Sequence, residues 1–93
     1  MARLLCDQVS PGLRPSERTV AVKDIHGRTQ FLRVELAFLT HEGGKYWLPV
    51  GKVYEDKQRE IALVELPQEA ESGTNRLWVR FFNLLEYAAR TPA

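Results

Sequence analysis

EIALVELPQEAESGTNRLWVRFF, residues 60–82, is the clearest strand–loop–strand pattern in the chain. Two apolar runs, residues 61–66 and 77–82, flank a polar loop that begins at Pro67 and contains the turn pair Ser72-Gly73. Proline cannot donate a hydrogen bond to a strand ladder, so Pro67 marks the end of the first run. The pattern predicts two strands joined by a polar loop, with the first strand at the centre of a sheet.

The second run also indicates which of its faces is buried. Side chains alternate across a strand, so Leu77, Val79 and Phe81 share one face, while Trp78 and Arg80 share the other. The first face is wholly apolar and is the better core candidate. Alternation alone leaves two interpretations of Trp78. It is either partly exposed between arginines or packed beneath the polar loop as a satellite of the core.

Three more strands are predicted before this stretch, over residues 18–23, 29–39 and 46–54. All three are rich in β-branched or aromatic residues, which favour strands. A turn over residues 24–28 separates the first two strands. The pair Gly43-Gly44 predicts a hairpin before the third, because two consecutive glycines suit a tight turn between strands.

The strand over residues 29–39 is predicted to be half-buried. Leu32, Val34, Leu36 and Phe38 fall on one face at a period of two, whereas the opposite face is mixed. In the following strand, Pro49 predicts a bend, because proline belongs at an edge, a start or a bulge of a strand.

Five strands at regular spacing, with turn residues between them, predict an all-β fold. The chain length best suits a small, strongly bent, five-stranded antiparallel barrel of the SH3-like kind. A short C-terminal helical turn is predicted within residues 83–90. Residues 18–90 are expected to form a single barrel domain. Residues 1–17 are an N-terminal extension, interpreted as a partly ordered or strand-pairing segment, and residues 91–93 a frayed C-terminus.

Composition bounds the function. The chain has 93 residues, the size of one domain, and a formal net charge of +1. It therefore lacks the basic excess that is usual in proteins that bind duplex DNA. Cys6 is the only cysteine, so no disulfide forms within the chain. No apolar run is long enough to span a bilayer. We expect a cytoplasmic protein that does not enter a membrane.

The sequence contains no recognisable catalytic or metal-binding motif. Cys6, His26 and His41 are far apart and lack the paired spacing of a zinc site, so no metal and no other cofactor is expected. No serine lies in a nucleophile elbow. Glu65 is the only carboxylate inside an apolar run, and an ion pair with Arg76 or Arg80 explains it without catalysis. We therefore predict a protein that is not an enzyme.

The remaining candidate site combines aromatic and basic side chains. Exposed aromatic rings beside cations suit a peptide groove, a methylated side chain or stacked single-stranded bases. The first hypothesis is a small interaction module that binds a peptide or protein partner. The predicted binding residues are Tyr46, Trp47, Tyr54, Arg76, Trp78 and Arg80.

Two other functions use overlapping residues. The alternative hypothesis is a protein that binds single-stranded or structured RNA through the same aromatics and arginines, together with Lys45 and Lys52. A third hypothesis is a small enzyme or enzyme subunit built around Glu65 and His41. A homodimer is compatible with all three, and its contact would come from Leu4 and Leu5 or from residues 84–87.

Overall fold

The computed structural model describes residues 2–88. Strands make up more than half of the described residues and form two antiparallel sheets. The eight strands in the described residues are β1 (Ala2–Leu5), β2 (Gln8–Pro11), β3 (Glu17–Lys23), β4 (Thr29–Glu35), β5 (Thr40–Glu42), β6 (Lys45–Asp56), β7 (Ile61–Glu65) and β8 (Arg76–Arg80). The prediction of an antiparallel, mostly β fold is confirmed.

The larger sheet is organised around β6, the longest strand. Its order is β1-β6-β7-β8, and β5 also pairs with β6. The first half of β6 pairs with β1 and β5, and its second half pairs with β7. The smaller sheet has the order β2-β3-β4. As predicted, β7 lies inside its sheet, between β6 and β8.

Pro49 lies where β6 changes partners. On one edge of β6, the pairs with β5 end at Trp47 and the pairs with β7 begin at Gly51. The amide of Cys6 donates to the carbonyl oxygen of Tyr46 at 3.0 Å, so even-numbered residues here face β1. Pro49 faces the opposite edge, in the gap between the two partners. A residue without an N–H leaves no donor unpaired there.

The five predicted strands correspond to β3, β4, β6, β7 and β8, and three short strands accompany them. One predicted face was wrong in part. Leu32 and Val34 are buried, but Leu36 and Phe38 are exposed, Phe38 by 54%. The cause is that β4 ends at Glu35 and residues Leu36–Phe38 form a 3₁₀ turn, which breaks the alternation of a strand.

The N-terminal segment contributes to the core. Leu4 is fully buried in β1, and Val20, Leu48, Val64 and Val79 are equally inaccessible in other strands. The chain then turns into the smaller sheet, where the amide of Asp7 donates to the carbonyl oxygen of Ala21 at 2.8 Å. The strands β1 and β2 therefore connect the two sheets through one continuous segment.

The C-terminal end packs against β1. The helix α1 (Leu85–Ala88) follows a 3₁₀ turn, Phe81–Asn83, and lies within the helical turn predicted over residues 83–90. Residues 89–93 of the predicted turn and frayed end lie outside the described residues. Leu84 forms a β-bridge with Leu4, and both side chains are fully buried. These two leucines, named above for a dimer contact, thus cover each other.

An ion cluster fixes α1 to β6. The Lys52 ammonium lies 3.0 Å from a Glu55 carboxylate oxygen and 3.2 Å from a Glu86 oxygen. It also lies 5.5 Å from the ring centroid of Tyr87. Hydrogen bonding to Glu55 and Glu86 raises the pKa of Lys52, against the opposing effect of burial.

Within residues 2–88, no helix has the length and apolar character needed to cross a membrane.

Candidate functional site

Aromatic and apolar side chains form a row across the outer face of the larger sheet. The strand register pairs Tyr54 with Leu63 and Leu63 with Trp78, so these residues lie side by side on β6, β7 and β8. The rings of Tyr54 and Trp78 have centroids 6.0 Å apart and planes at 79°. Such an edge-to-face contact holds both rings in a defined orientation.

Two arginines flank Trp78 on the same strand face. The Arg76 Nε donates to a Glu65 carboxylate oxygen at 3.3 Å, and both side chains are about half exposed. The Arg80 guanidinium donates to the carbonyl oxygen of Ile25 at 3.1 Å. We call Tyr54, Leu63, Arg76, Trp78 and Arg80 the Trp78 face.

Strand parity explains why Trp78 lies at this surface. Leu77 and Val79 are buried in the core, at 5% and 0% exposure, and Phe81 is buried just beyond the strand. Trp78 alternates with them and is half-buried on the outer side. Tyr54 is 59% exposed. The two rings therefore present apolar surface that the domain itself does not cover.

A polar cleft of about 370 Å³ lies beside Trp78, between β8 and the turn that joins β3 to β4. The amide of Ile25 donates to the carbonyl oxygen of Trp78 at 3.0 Å, which holds the turn against the edge of β8. His26, Arg28 and Arg76 line this cleft together with Trp78, and we call it the arginine cleft.

Asp24 holds the turn in shape. Its Oδ1 accepts hydrogen bonds from the amides of His26 at 2.9 Å and Arg28 at 3.0 Å. Its Oδ2 accepts one from the Arg28 Nε at 3.1 Å. Burial acts to raise the pKa of Asp24, but these hydrogen bonds and the Arg28 charge lower it below its usual value. The carboxylate is therefore ionised at neutral pH and committed to the turn.

Gly51 opens a trough next to the row. It pairs with Glu65 on β7, on the same outer face. A Cβ added at Gly51 would lie 3.8 Å from the Glu65 Cβ, an ordinary contact distance, so the position has room for a side chain. Phe38, Pro49 and Pro67 are among the residues that line the trough, whose volume is about 530 Å³.

The structure brings together four of the six predicted binding residues: Tyr54, Arg76, Trp78 and Arg80. The other two lie at the opposite end of β6. Trp47 is only 5% exposed, and its indole N–H donates to the carbonyl oxygen of Glu42 at 3.0 Å. Tyr46 is 38% exposed and lies against His41, with ring centroids 4.6 Å apart.

Sequence reasoning missed Arg28 and His26 as part of this site and placed both only in the turn over residues 24–28. Both enter the arginine cleft because the turn docks on β8, through a contact between Ile25 and Trp78 that is distant in sequence. No local pattern could reveal that contact. Leu63 is detectable only once the strand register is known.

Within residues 2–88, no three histidine, cysteine, aspartate or glutamate side chains are grouped so that they could hold a metal ion. Comparison of the chain with models of known families, with curated proteins and with solved structures finds no match. The geometry of the Trp78 face is therefore the feature of the molecule that bears on its function.

Proposed function

We propose that this protein is a small, non-catalytic interaction module that binds a peptide or protein partner through the Trp78 face. The single observation that carries the proposal is the Tyr54–Trp78 pair, two perpendicular aromatic rings left accessible on the outside of a sheet. Aromatic anchors with arginines beside them are typical of the residues that dominate binding energy in protein interfaces.

The distribution of charge favours a protein partner over RNA. Arg76 is ion-paired with Glu65 on this face, so positive and negative groups lie together there. Lys52 shares a strand face with the buried Val64 and not with Trp78, and it is ion-paired with Glu55 and Glu86. Binding along a nucleic-acid backbone calls for a continuous positive surface. The two arginines around Trp78 are the observation that favours the RNA alternative, which the experiment below includes.

The environment of the candidate acid–base groups supports a non-catalytic role. Glu65 has a side chain that is 48% exposed and is ion-paired with Arg76, so it lacks the apolar surroundings that prepare a carboxyl for catalysis. His41 is exposed and lies against Tyr46 in the β5–β6 hairpin. The two residues of the enzyme hypothesis thus lie on different parts of β6 and its neighbours.

We interpret the two sheets as the halves of a strongly bent barrel of the SH3-like kind. The support comes from two backbone hydrogen bonds that join the sheets at different places. The Glu71 amide, in the loop between β7 and β8, donates to the carbonyl oxygen of Phe31 in β4 at 2.8 Å, and the Ile25 amide donates to the carbonyl oxygen of Trp78 at 3.0 Å. In this interpretation the Trp78 face is part of the outer surface of the barrel. We further propose that the protein is cytoplasmic.

The proposal is tested by selecting random peptides from a display library on immobilised wild-type protein. Synthetic versions of the enriched peptides are then titrated by fluorescence anisotropy. We expect the double variant Tyr54→Ala/Trp78→Ala to bind them at least about tenfold more weakly, because each aromatic anchor contributes about 1–2 kcal/mol or more. Enriched peptides that bind the double variant as well as the wild type would overturn the proposal.

Two controls make the result specific. Leu13→Ala alters a side chain that is 80% exposed in the connection between β2 and β3, so it should leave peptide affinity unchanged. A labelled single-stranded RNA of mixed sequence is titrated at about 50 mM and about 200 mM salt, where phosphate-based binding falls steeply. Salt-sensitive RNA binding lost in the double variant, without any peptide selected, would establish the alternative function instead.

A further inference from the structure

The arginine cleft lies beside the Trp78 face and is lined by charged side chains. Its charge indicates which kind of side chain the partner would place there. Arg28 uses its Nε to hold Asp24, and its side chain is 70% exposed. Arg76 uses its Nε to hold Glu65, and its side chain is 53% exposed. Within residues 2–88, no hydrogen bond engages the terminal nitrogens of either guanidinium. Each arginine therefore offers free N–H donors.

The charges that a ligand could reach inside the cleft are positive. The Asp24 carboxylate is only 7% exposed, and its oxygens already accept three hydrogen bonds from the turn. Arg28 and Arg76 remain as accessible charges that line the cleft with the uncharged Ser72 and Thr74. A planar guanidinium with free N–H groups matches a carboxylate in both shape and charge.

We propose that the partner segment is an acidic peptide whose carboxylate enters the arginine cleft while a neighbouring apolar side chain covers Trp78 and Leu63. This inference rests on the proposed function and specifies the ligand of that same site. The acidic side chain contacts Arg28 and Arg76. The apolar side chain contacts the row formed by Trp78, Leu63 and Tyr54.

The spacing within the peptide follows from strand geometry. Adjacent strands lie about 4.8 Å apart, and alternate side chains of an extended peptide lie about 7 Å apart on one side. The cleft borders the outer edge of β8, and Leu63 lies one strand further in. An acidic residue and an apolar residue at positions i and i+2 of an extended peptide therefore reach both compartments.

Carboxylates around the cleft favour one acidic side chain over a polyanion. Glu65 lies at the Arg76 side of the cleft, and Glu69 and Glu71 are exposed in the loop between β7 and β8. Glu71 directly precedes Ser72, which lines the cleft. A chain of phosphates crossing this region would lie against more of these negative charges than a single carboxylate held between Arg28 and Arg76.

The test uses three matched peptides, Gly-Ser-Glu-Ser-Leu-Ser-Gly and the same peptide with Gln or Lys in place of Glu. Each is titrated into isotope-labelled protein and followed by NMR, which detects weak binding. We expect the Glu peptide to shift the resonances of Arg28, Arg76 and Trp78 and to bind about tenfold more tightly than the Gln peptide, as hydrogen bonds to a charged group allow. The Lys peptide should bind most weakly.

Charge variants locate the effect. Arg76→Gln should reduce the preference for the Glu peptide over the Gln peptide at least about fivefold. Arg14→Gln is the matched control. It removes the same charge from a side chain that is 71% exposed in the connection between β2 and β3, and it should leave the preference unchanged. An equal loss in both variants would indicate only a general charge effect and would overturn the inference.

The remaining outcomes separate this inference from the proposed function. If library-selected peptides bind at Trp78 but neutral or basic ones are preferred, the acidic partner is wrong and the interaction module stands. If none of the three peptides shifts the NMR resonances of the residues that line the cleft, the proposal of an acidic partner is also wrong. If only RNA binds, both proposals fail.

Discussion

Tyr54 and Trp78 meet edge to face across the intervening strand, with ring centroids 6.0 Å apart and planes at 79°. The strand register places Leu63 between them, opposite both residues. The sheet therefore fixes the spacing of the two rings through backbone hydrogen bonds, and a ligand would find them already oriented. Such preorganisation reduces the entropy lost on binding.

The two tryptophans should respond differently to substitution. Trp47→Phe removes a buried indole with a hydrogen bond to Glu42, and we expect it to lower the free energy of unfolding by about 1–3 kcal/mol. Trp78→Phe alters a half-buried side chain on the outer face and should cost less than about 1 kcal/mol. Urea denaturation measures both values.

Fluorescence quenching provides an independent check on the same pair. The Trp47→Phe variant retains only Trp78, and its emission should be quenched strongly by acrylamide. The Trp78→Phe variant retains only the buried Trp47, and its emission should be protected. Equal quenching of the two variants would contradict the burial described here.

Two glycines are predicted to respond in opposite ways to alanine. A Cβ at Gly51 would have its nearest contact at 3.8 Å, so Gly51→Ala should leave stability unchanged or raise it by about 0.5–1 kcal/mol. A Cβ at Gly12 would lie 2.8 Å from the backbone of Glu17, so Gly12→Ala should destabilise the protein. Thermal denaturation of both variants tests the contrast. A stable Gly12→Ala variant would contradict the predicted clash.

Cys6 is predicted to be unreactive in the folded protein. Burial, with a smaller effect from the charge of Asp7, raises the pKa of the Cys6 thiol to about 12. Iodoacetamide at about pH 8 should therefore label native protein slowly and unfolded protein rapidly. A Ser72→Cys/Cys6→Ser variant supplies an exposed thiol as the control. Fast labelling of native Cys6 would show that the contact between β1 and β6 opens.

The raised pKa also fixes the direction of a pH effect. The folded protein holds the Cys6 proton more tightly than the unfolded chain, so this contribution to stability is fully present below the usual thiol pKa. It is lost as pH rises from about 9 towards 12. In the Cys6→Ala variant, the free energy of unfolding should therefore fall less steeply with pH in this alkaline range. An unchanged alkaline profile in this variant would contradict the assignment.

Asp24 should contribute to stability through its charge. Asp24→Asn puts an amide in place of the oxygen that holds the Arg28 guanidinium, and we expect a loss of about 1–3 kcal/mol at pH 7. Because the folded pKa is lowered, this contribution is present above about pH 4 and is lost as pH falls through the folded value. The difference in free energy of unfolding between wild type and Asp24→Asn should therefore become smaller at acidic pH. Asp7→Asn is the control and should cost less, because the Asp7 side chain, which is ion-paired with Lys23, is 28% exposed against 7% for Asp24.

Alternation along single strands could be predicted from sequence because it depends on local geometry. Leu77 and Val79 are in the core, as the apolar pattern indicated. Alternation left two interpretations of Trp78, which is half-buried on the outer face. The same reasoning failed at Leu36 and Phe38, because β4 ends after Glu35 and the period of two ends with it. A run of alternating apolar residues does not show where its ladder of hydrogen bonds stops.

The candidate site was only partly predictable for a different reason. Tyr54 and Trp78 were identified by residue type, but Trp47 has the same type and is buried under its own hairpin. Arg28 reaches the site through the docking of the β3–β4 turn on β8, a contact between segments distant in sequence. Such contacts depend on how the sheets pack, which the local pattern of residues does not reveal.

Chemical-shift mapping of isotope-labelled protein with a library-selected peptide tests the central claim most directly. If the Trp78 face is the binding surface, the largest shifts will fall on Tyr54, Leu63, Arg76, Trp78 and Arg80 and on the adjoining turn that carries Arg28. Shifts confined to β2, β5 or the Tyr46 end of β6, with the Trp78 resonances unmoved at saturation, would contradict it.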